Sequence, residues 1–222
     1  MAKSGAYKVM PDIPDALLKQ YLGQAEIAVD TELHGLQLHR DRVCLIQLCD
    51  RKGDVCLVRP EGDKAPPNLA TLLKSKDTLK VFHYALTDIA FLKTSLGVMP
   101  APIYCTKVAS KLVRTYTDKH SLKYLVAEFL GKELDKAQQS TNWSADKLSP
   151  RQLQYAADDV LYLLKVYDAL EEMVAARGPM PAGKTLAQLN QAAQAFLPTL
   201  ADLIISGYGD RDQGWESSLF SH

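Results

Sequence analysis

The chain has 222 residues, and 47% of them are apolar, so it is long enough to bury a substantial core as one domain. Its 26 lysines and arginines balance 26 aspartates and glutamates, which excludes a strong overall attraction to long polyanions. Any binding of nucleic acid must therefore be local.

The cysteines and the hydropathy pattern indicate where the protein resides. Four cysteines, at positions 44, 49, 56 and 105, show no C-x-x-C spacing, and three of them lie in apolar runs typical of buried thiols. The first residues lack the apolar stretch of a signal peptide, and no run of about 18 apolar residues is present. We therefore expect a soluble protein in a reducing, cytoplasmic setting.

The first half of the chain predicts strands and helices in turn. Apolar runs at 25–32, 43–49 and 54–58 predict three strands joined by tight hairpins. Leucines at 69, 72 and 73 predict a helix, followed by a strand at 79–82, a helix at 86–96 and a short strand in PAPIYCT. The prediction is an α/β fold with a mixed sheet of about five strands, antiparallel hairpin strands first, flanked by helices.

From residue 106 onward the chain predicts helices. Ser121 and Gly131 are suited to cap one helix, and Ser149, Pro150 and Gln152 form a capping-box pattern at the start of another, predicted to run from about 150 to 176. The segment 177–183 breaks that helix, and 184–206 predicts a further amphipathic helix before a polar tail. We expect a single domain over 1–222 with its core at about 20–176.

Two acids follow the first buried strand. Residues two apart on a strand point to the same side, so Asp30 and Glu32 present their carboxylates together while Thr31 faces away. Such acids are costly to bury unless they are paired or bind a cation, and their hard oxygen ligands suit Mg²⁺ or Mn²⁺ better than zinc. The alternative is a turn cap at Asp30 and a solvated charge at Glu32.

Further acids lie on predicted helices. Asp88 stands in the first turn of the helix at 86–96, where it could simply complement the helix dipole. Tyr155 and Asp159 are four apart and share a face that overlaps the buried stripe of their helix. Each pattern alone is weak evidence for a functional site, and only their combination supports one.

That combination resembles the DEDDy group of 3′–5′ exonucleases in the ribonuclease D superfamily. The three motifs are VDTEL, HYALTD and YAADD, and the likeness continues through CLIQLCD and LDKAQQSTNWSADKLSPRQLQYAADDVLYL, covering about residues 20–176. It implies an RNase-H-like fold. We expect no helicase-and-RNase-D C-terminal domain, because too few residues follow 176 to form it beside the last helix.

A more specific likeness is to the nanoRNase C family, bacterial enzymes that degrade very short RNA, notably dinucleotides. The run CTKVASKLVRTYTDKHSLKYL, the QQST stretch and the final LFSH are similar to that family. The resemblance implies a ring-shaped homo-octamer, in which Trp215, Leu219 and Phe220 of the tail are candidates to dock on a neighbour. Tyr84 departs from the asparagine or small residue common at its position, which affects local substrate contacts.

The resemblance also implies the mechanism and its cofactors, two divalent ions, Mg²⁺ or Mn²⁺. Asp30 would bridge both ions, Glu32 and Asp159 would hold the ion that binds the nucleophile, and Asp88 would support the second. Tyr155 would orient the attacking water, because a tyrosine is a poor base at neutral pH. The expected catalytic residues are therefore these four acids and Tyr155.

Short RNA is the expected partner, with no membrane contact. Basic and aromatic side chains between 105 and 124 could hold phosphates and stack on bases, although a solvated helix face explains any single lysine equally well. The candidate substrate-binding residues are Leu33, His34, His83, Lys107, Lys111, Arg114 and Tyr116. Trp143 is expected to be a packing anchor.

The leading hypothesis is an enzyme that cleaves dinucleotides to nucleoside monophosphates. Its alternatives are a ribonuclease-D-like exonuclease that trims longer RNA or DNA, and a catalytically silent nucleic-acid-binding module. The presence of all four acids argues against the silent module.

Overall fold

The computed structural model describes residues 7–135, 137–178 and 183–208, and within them the chain forms one six-stranded sheet with helices on both faces. The strands are β1 (Val9–Met10), β2 (Glu26–Leu33), β3 (Val43–Cys49), β4 (Val55–Val58), β5 (Leu79–Phe82) and β6 (Ile103–Cys105). The helices are α1 (Asp15–Leu22), α2 (Pro67–Lys74), α3 (Ala85–Leu96), α4 (Thr106–Val113), α5 (Leu122–Leu130), α6 (Pro150–Leu161), α7 (Leu163–Ala176) and α8 (Leu186–Ile205). The expected α/β class is confirmed.

The order of the strands gathers three strand ends at one edge of the sheet. The order is β1-β4-β3-β2-β5-β6, with β3 antiparallel to β2 and β4. By contrast, β2, β5 and β6 run parallel to one another. Their C-terminal ends therefore meet, which brings the end of β2 close to the starts of α3 and α4.

The alternation of side chains along β2 separates two cores. Ile27 and Val29 lie in a cluster formed with α2, α3 and α8, whereas Ala28 lies in a second cluster formed with α4, α5 and α7. Asp30 and Glu32 continue the row of Ala28, so they project to the face that α6 and α7 cover. The core that orders β2 thus also fixes the direction of its acids.

Several sequence predictions are confirmed, and one hairpin is not. The strands at 43–49 and 79–82 form as predicted, and the turn from β3 to β4 is closed by Asp50 Oδ1, which accepts from the amides of Lys52 and Asp54 at 2.9 and 3.1 Å. The predicted tight hairpin between the first two strands is wrong, because residues 34–42 form a longer loop. The short β1 was not predicted, since two residues carry no periodicity.

The predicted helix over 150–176 is two helices. Its start is confirmed, with Ser149 Oγ accepting from the Gln152 amide at 3.2 Å and Gln152 Oε1 from the Ser149 amide at 2.9 Å. The helix breaks at Tyr162, where φ is −101° and ψ is −10°. The break allows α6 to pack on β2, β3 and β4, while α7 packs on β2, β5 and α4. No proline or glycine marks it in the sequence.

The remaining expectations concern thiols, helices and the tail. All four cysteines are free and buried, as expected. No helix among the described residues is long and apolar enough to cross a membrane. The expected docking of Trp215, Leu219 and Phe220 falls outside the described residues.

The loop after β2 depends on the lack of a side chain at Gly35. Asp41 is buried there and accepts from the Gln37 amide and from Arg40 Nε, both at 2.8 Å. A Cβ at residue 35 would lie 2.3 Å from Asp41 Oδ2. We expect Gly35→Ala to displace Asp41, lower the Tm by about 2–4 °C and speed amide hydrogen exchange at Gln37.

The matched control for that loop is Gly178→Ala. A Cβ at Gly178 meets no atom within 4 Å, so its Tm should be unchanged. Equal effects of the two substitutions would contradict the role of Gly35.

Candidate active site

Three carboxylates from two elements converge on the α6 side of the sheet. Asp30 and Glu32 come from the last part of β2, and Asp159 comes from the last turns of α6. One ligand oxygen from each lies within 4.8 Å of the other two. The first and third sequence motifs therefore meet in space, as the resemblance implied.

The start of α6 fixes the direction of Asp159 and Tyr155. Besides the capping box, Gln152 Nε2 donates to Thr141 Oγ1 at 3.0 Å, which ties the preceding loop to the helix. Tyr155 is buried against Trp143, with the ring centroids 6.0 Å apart. Trp143 is thus a packing anchor, as expected, and the Tyr155 hydroxyl hydrogen-bonds Asp159 one turn later.

The fourth acid, Asp88, stands beside this cluster rather than inside it. It is buried in the first turn of α3, where its Oδ1 accepts from Thr31 Oγ1 at 2.6 Å. Thr31 was expected only to face away from the acids. It does occupy the opposite face of β2, yet it holds Asp88 there, a role visible only once α3 is known to pack on that face.

Burial and mutual repulsion raise the pKa values of the carboxyl groups of Asp30 and Glu32. Burial is the main cause that raises the pKa of Asp30 well above its ordinary value, followed by the charges of Asp88, Asp159 and Glu32. The same two causes raise the pKa of Glu32 to about 9. Burial raises the pKa of Asp88 to about 7. The fold therefore holds these carboxylates close at an electrostatic cost.

The donor set fits a hard divalent cation. The three clustered ligands are all carboxylate oxygens, which suit Mg²⁺ or Mn²⁺ better than zinc. A cation at this point would offset the repulsion that raises the pKa of Asp30 and Glu32. Asp30, Glu32 and Asp159 would hold it directly, with Asp88 next to Asp30.

A basic cleft lies beyond the same edge of the sheet. Its volume is about 510 Å³, and its lining residues are Lys107, Lys111, Asp118, Lys119, His120, Ser121 and Tyr124. Lys107 and Lys111 belong to α4, which begins directly after β6, and their spacing of four puts them on one helix face. Lys107 and Lys111, two of the predicted substrate-binding residues, therefore share a concave surface.

Arg114, also predicted to bind substrate, is instead buried beside the cleft. Its side chain is only 1% exposed, donates to the Lys119 carbonyl at 2.7 Å and forms an ion pair with Glu128. Tyr116 is 66% exposed, but its hydroxyl donates to Glu128 at 3.1 Å and it does not line the cleft. Sequence alone does not distinguish an arginine that builds the cleft wall from one that faces the cleft.

The other predicted contact residues flank the acids. Leu33 is half-buried against the α3 side of the core, and His34 is exposed at the start of the following loop. His83 Nδ1 lies 2.9 Å from Thr106 Oγ1, which joins the ends of β5 and β6. Tyr84 adopts the left-handed conformation with φ of +67°, which is unfavourable for a residue with a large side chain, and Lys107 Nζ lies 3.8 Å from its ring centroid.

The raised pKa values predict how Mg²⁺ binding varies with pH. The metal-free fold binds protons on these acids more tightly than the unfolded chain does, so it loses stability as the pH rises from about 4 through 7 to 9. Mg²⁺ displaces those protons. We therefore expect the Mg²⁺-induced increase in Tm to be larger at about pH 8.5 than at pH 6, with apparent affinity gaining up to about tenfold per pH unit for each proton released.

Thermal denaturation with and without Mg²⁺ measures this effect. Glu32→Gln removes one titrating group, so the metal-free variant should melt higher than the unaltered protein at pH 8.5 and respond less to Mg²⁺. An Mg²⁺-induced shift in Tm that does not vary with pH would contradict the assignment.

Comparison with known proteins agrees with this geometry. Residues 11–175 match the family model described as 3′–5′ exonuclease. Ribonuclease D of Gluconacetobacter diazotrophicus is 34% identical over 154 residues, which are 68% of this chain and 38% of the relative. The chain spans 38–42% of the length of the first curated relatives that it matches.

Solved structures match over a larger share of their length. Brucella melitensis NrnC is 40% identical with a TM-score of 0.84, covering 96% of this chain and 97% of that one, and it has also been solved with bound Mg²⁺ and bound to pGG. Escherichia coli RNase D, an exoribonuclease involved in structured RNA processing, is 27% identical with a TM-score of 0.69, over 85% of this chain and 50% of that one. The chain belongs to the DEDDy 3′–5′ exonuclease family of the ribonuclease D superfamily and is similar to NrnC.

Proposed function

We propose that the protein is a metal-dependent 3′–5′ exoribonuclease that degrades very short RNA to nucleoside monophosphates. The observation that carries this proposal is the convergence of Asp30, Glu32 and Asp159, with Asp88 beside them, at the edge where the basic cleft begins. The cluster supplies a site for the cation, and the cleft supplies a site for phosphate.

The four acids would have different roles, which follow from their positions in the site. Two divalent ions, Mg²⁺ or Mn²⁺, would stabilise charge on the scissile phosphate and lower the pKa of the attacking water. Burial, followed by the charges of Asp88, Asp159 and Glu32, raises the pKa of Asp30, so Asp30 interacts with all three other acids and would be the ligand shared by the two ions. Thr31 orients Asp88 through its hydroxyl.

Tyr155 acts by position and not as a base. Burial is the main cause that raises the pKa of its hydroxyl, followed by the charges of Asp159 and Glu32, so the group keeps its proton at neutral pH. A protonated hydroxyl beside Asp159 can hydrogen-bond a water and hold its direction of attack.

The cleft favours a short substrate. Three lysines, Lys107, Lys111 and Lys119, supply its positive charge, and His120 adds to it when protonated. Asp118 also lines the cleft, and Arg114 forms an ion pair with Glu128. Few phosphates can therefore be neutralised, and the balanced net charge adds no long-range attraction. The similarity to NrnC, which has been solved bound to pGG, supports the same length class.

A ribonuclease-D-like activity on longer RNA or DNA is the second candidate, favoured by the ribonuclease D relatives. Rates on a 5′-phosphorylated dinucleotide and on a long single strand of the same composition separate the two. Faster cleavage of the long strand would reject the short-RNA proposal while leaving the exonuclease chemistry intact.

Substitution of Tyr155 tests its positioning role. Tyr155→Phe removes one hydroxyl and keeps the ring against Trp143, so we expect the Tm to change little. We expect kcat to fall on the order of 100-fold with little change in KM. Trp143→Phe is the control for packing, because it should lower the Tm without a comparable specific loss in kcat. A Tyr155→Phe enzyme with full turnover would remove Tyr155 from the mechanism.

Salt dependence tests the length of the bound substrate. Because a 5′-phosphorylated dinucleotide offers only two phosphates to neutralise, the plot of log kcat/KM against log salt concentration should have a slope no steeper than about −2. Lys111→Met should lower kcat/KM by about three- to tenfold and flatten that slope. Lys132→Met, an exposed lysine outside the cleft, should do neither.

We also propose that the chain assembles into a homo-oligomer, an octamer by resemblance to its family. Light scattering coupled to gel filtration measures the mass in solution. A monomer at micromolar concentration would refute this assembly without affecting the proposed chemistry.

A further inference from the structure

Gln47 is a buried amide with no partner. It lies in the middle of β3 with 0% of its surface exposed, and neither Nε2 nor Oε1 makes a hydrogen bond with any of the described residues. An unsatisfied amide in a core destabilises the fold relative to a satisfied one, and an apolar side chain of the same shape avoids that cost. Its neighbours Ile46 and Leu48 are apolar, as the strand requires.

The sheet register places Gln47 next to the acids. Gln47 is paired directly with Asp30 across the antiparallel ladder of β3 and β2, and with Leu57 on its other side. Directly opposed residues carry their side chains on the same face, with Cβ atoms about 4.5–5.5 Å apart. Leu57 and Leu45 of this face pack with Tyr155, so the amide lies beneath α6, on the face that carries the Asp30 side chain.

We propose that Gln47 is a positioning residue for the metal site and that its Nε2 donates to the Asp30 carboxylate when the cation is bound. Carboxylates that ligate metals are themselves hydrogen-bonded, and the loss of such a partner typically weakens metal binding or activity by 10- to 100-fold. Of the three clustered acids, Asp30 is the one paired directly with Gln47 in the sheet. The inference rests on the proposed metal-dependent function.

The test measures Mg²⁺ binding without substrate. Gln47→Met keeps the length of the side chain and removes its polar atoms. Isothermal titration with MgCl₂ should show affinity reduced by about 10- to 100-fold, while the metal-free Tm is unchanged or higher by about 2–4 °C.

Thr78→Val is the matched control. Thr78 is also fully buried, and its hydroxyl also lacks a partner, but it precedes β5 at the opposite edge of the sheet. It should match or exceed the unaltered Tm while binding Mg²⁺ with unaltered affinity.

Each outcome decides the inference. Mg²⁺ affinity of Gln47→Met within twofold of the unaltered protein would overturn it and leave the proposed function standing, whereas an unaltered protein that fails to bind Mg²⁺ would overturn both. If Gln47→Met does not fold, the Mg²⁺-loaded crystal structure of the unaltered protein decides. Nε2 of Gln47 within about 3.2 Å of an Asp30 oxygen supports the inference, and a separation above 3.5 Å overturns it.

Discussion

Mutual repulsion between buried carboxylates is the constraint on which the rest of this structure depends. Asp30, Glu32 and Asp159 are brought together by the fold, and the raised pKa values of Asp30 and Glu32 show the cost, with that of Glu32 raised to about 9. Only favourable packing elsewhere can hold such groups together in the absence of a cation. The capping box of α6, the anchor at Trp143 and the apolar row on the other face of β2 provide that packing. This packing fixes the positions of the acids, which limits the reorganisation needed for catalysis.

The topology of the sheet joins this charge cluster to the substrate surface. Because β2, β5 and β6 are parallel, the residues that follow them lie along one edge, where Asp30 and Glu32 are succeeded by Tyr84 and then by Lys107. The acids follow β2 and Lys107 follows β6, with only β5 between these strands, an arrangement suited to a phosphodiester whose scissile phosphate needs metal and whose other end needs lysine. A neutral protein can in this way be locally attractive to a short anion without attracting long nucleic acid.

The sequence predicted those parts of the fold that have local causes. Residue alternation predicted that Asp30 and Glu32 share a face, and the capping box located the start of α6, which orients Tyr155 and Asp159.

Features with tertiary causes were missed. The break at Tyr162 follows from packing on the sheet, the bond from Thr31 to Asp88 depends on which face α3 covers, and the burial of Arg114 depends on Glu128 of another helix. Gln47 could not be singled out, because its significance comes from its register with Asp30 and not from its neighbours in sequence. The meeting of the motifs themselves was predicted from resemblance, since acids so far apart in sequence carry no local signal of proximity.

The most direct measurement of the central claim is anomalous diffraction from crystals soaked in Mn²⁺. The account predicts a strong peak with oxygens of Asp30, Glu32 and Asp159 at about 2.0–2.2 Å, and a second peak between Asp30 and Asp88, each lost in Asp30→Asn crystals. Crystals of the unaltered protein with no Mn²⁺ at these carboxylates, at concentrations that saturate activity, would contradict the account.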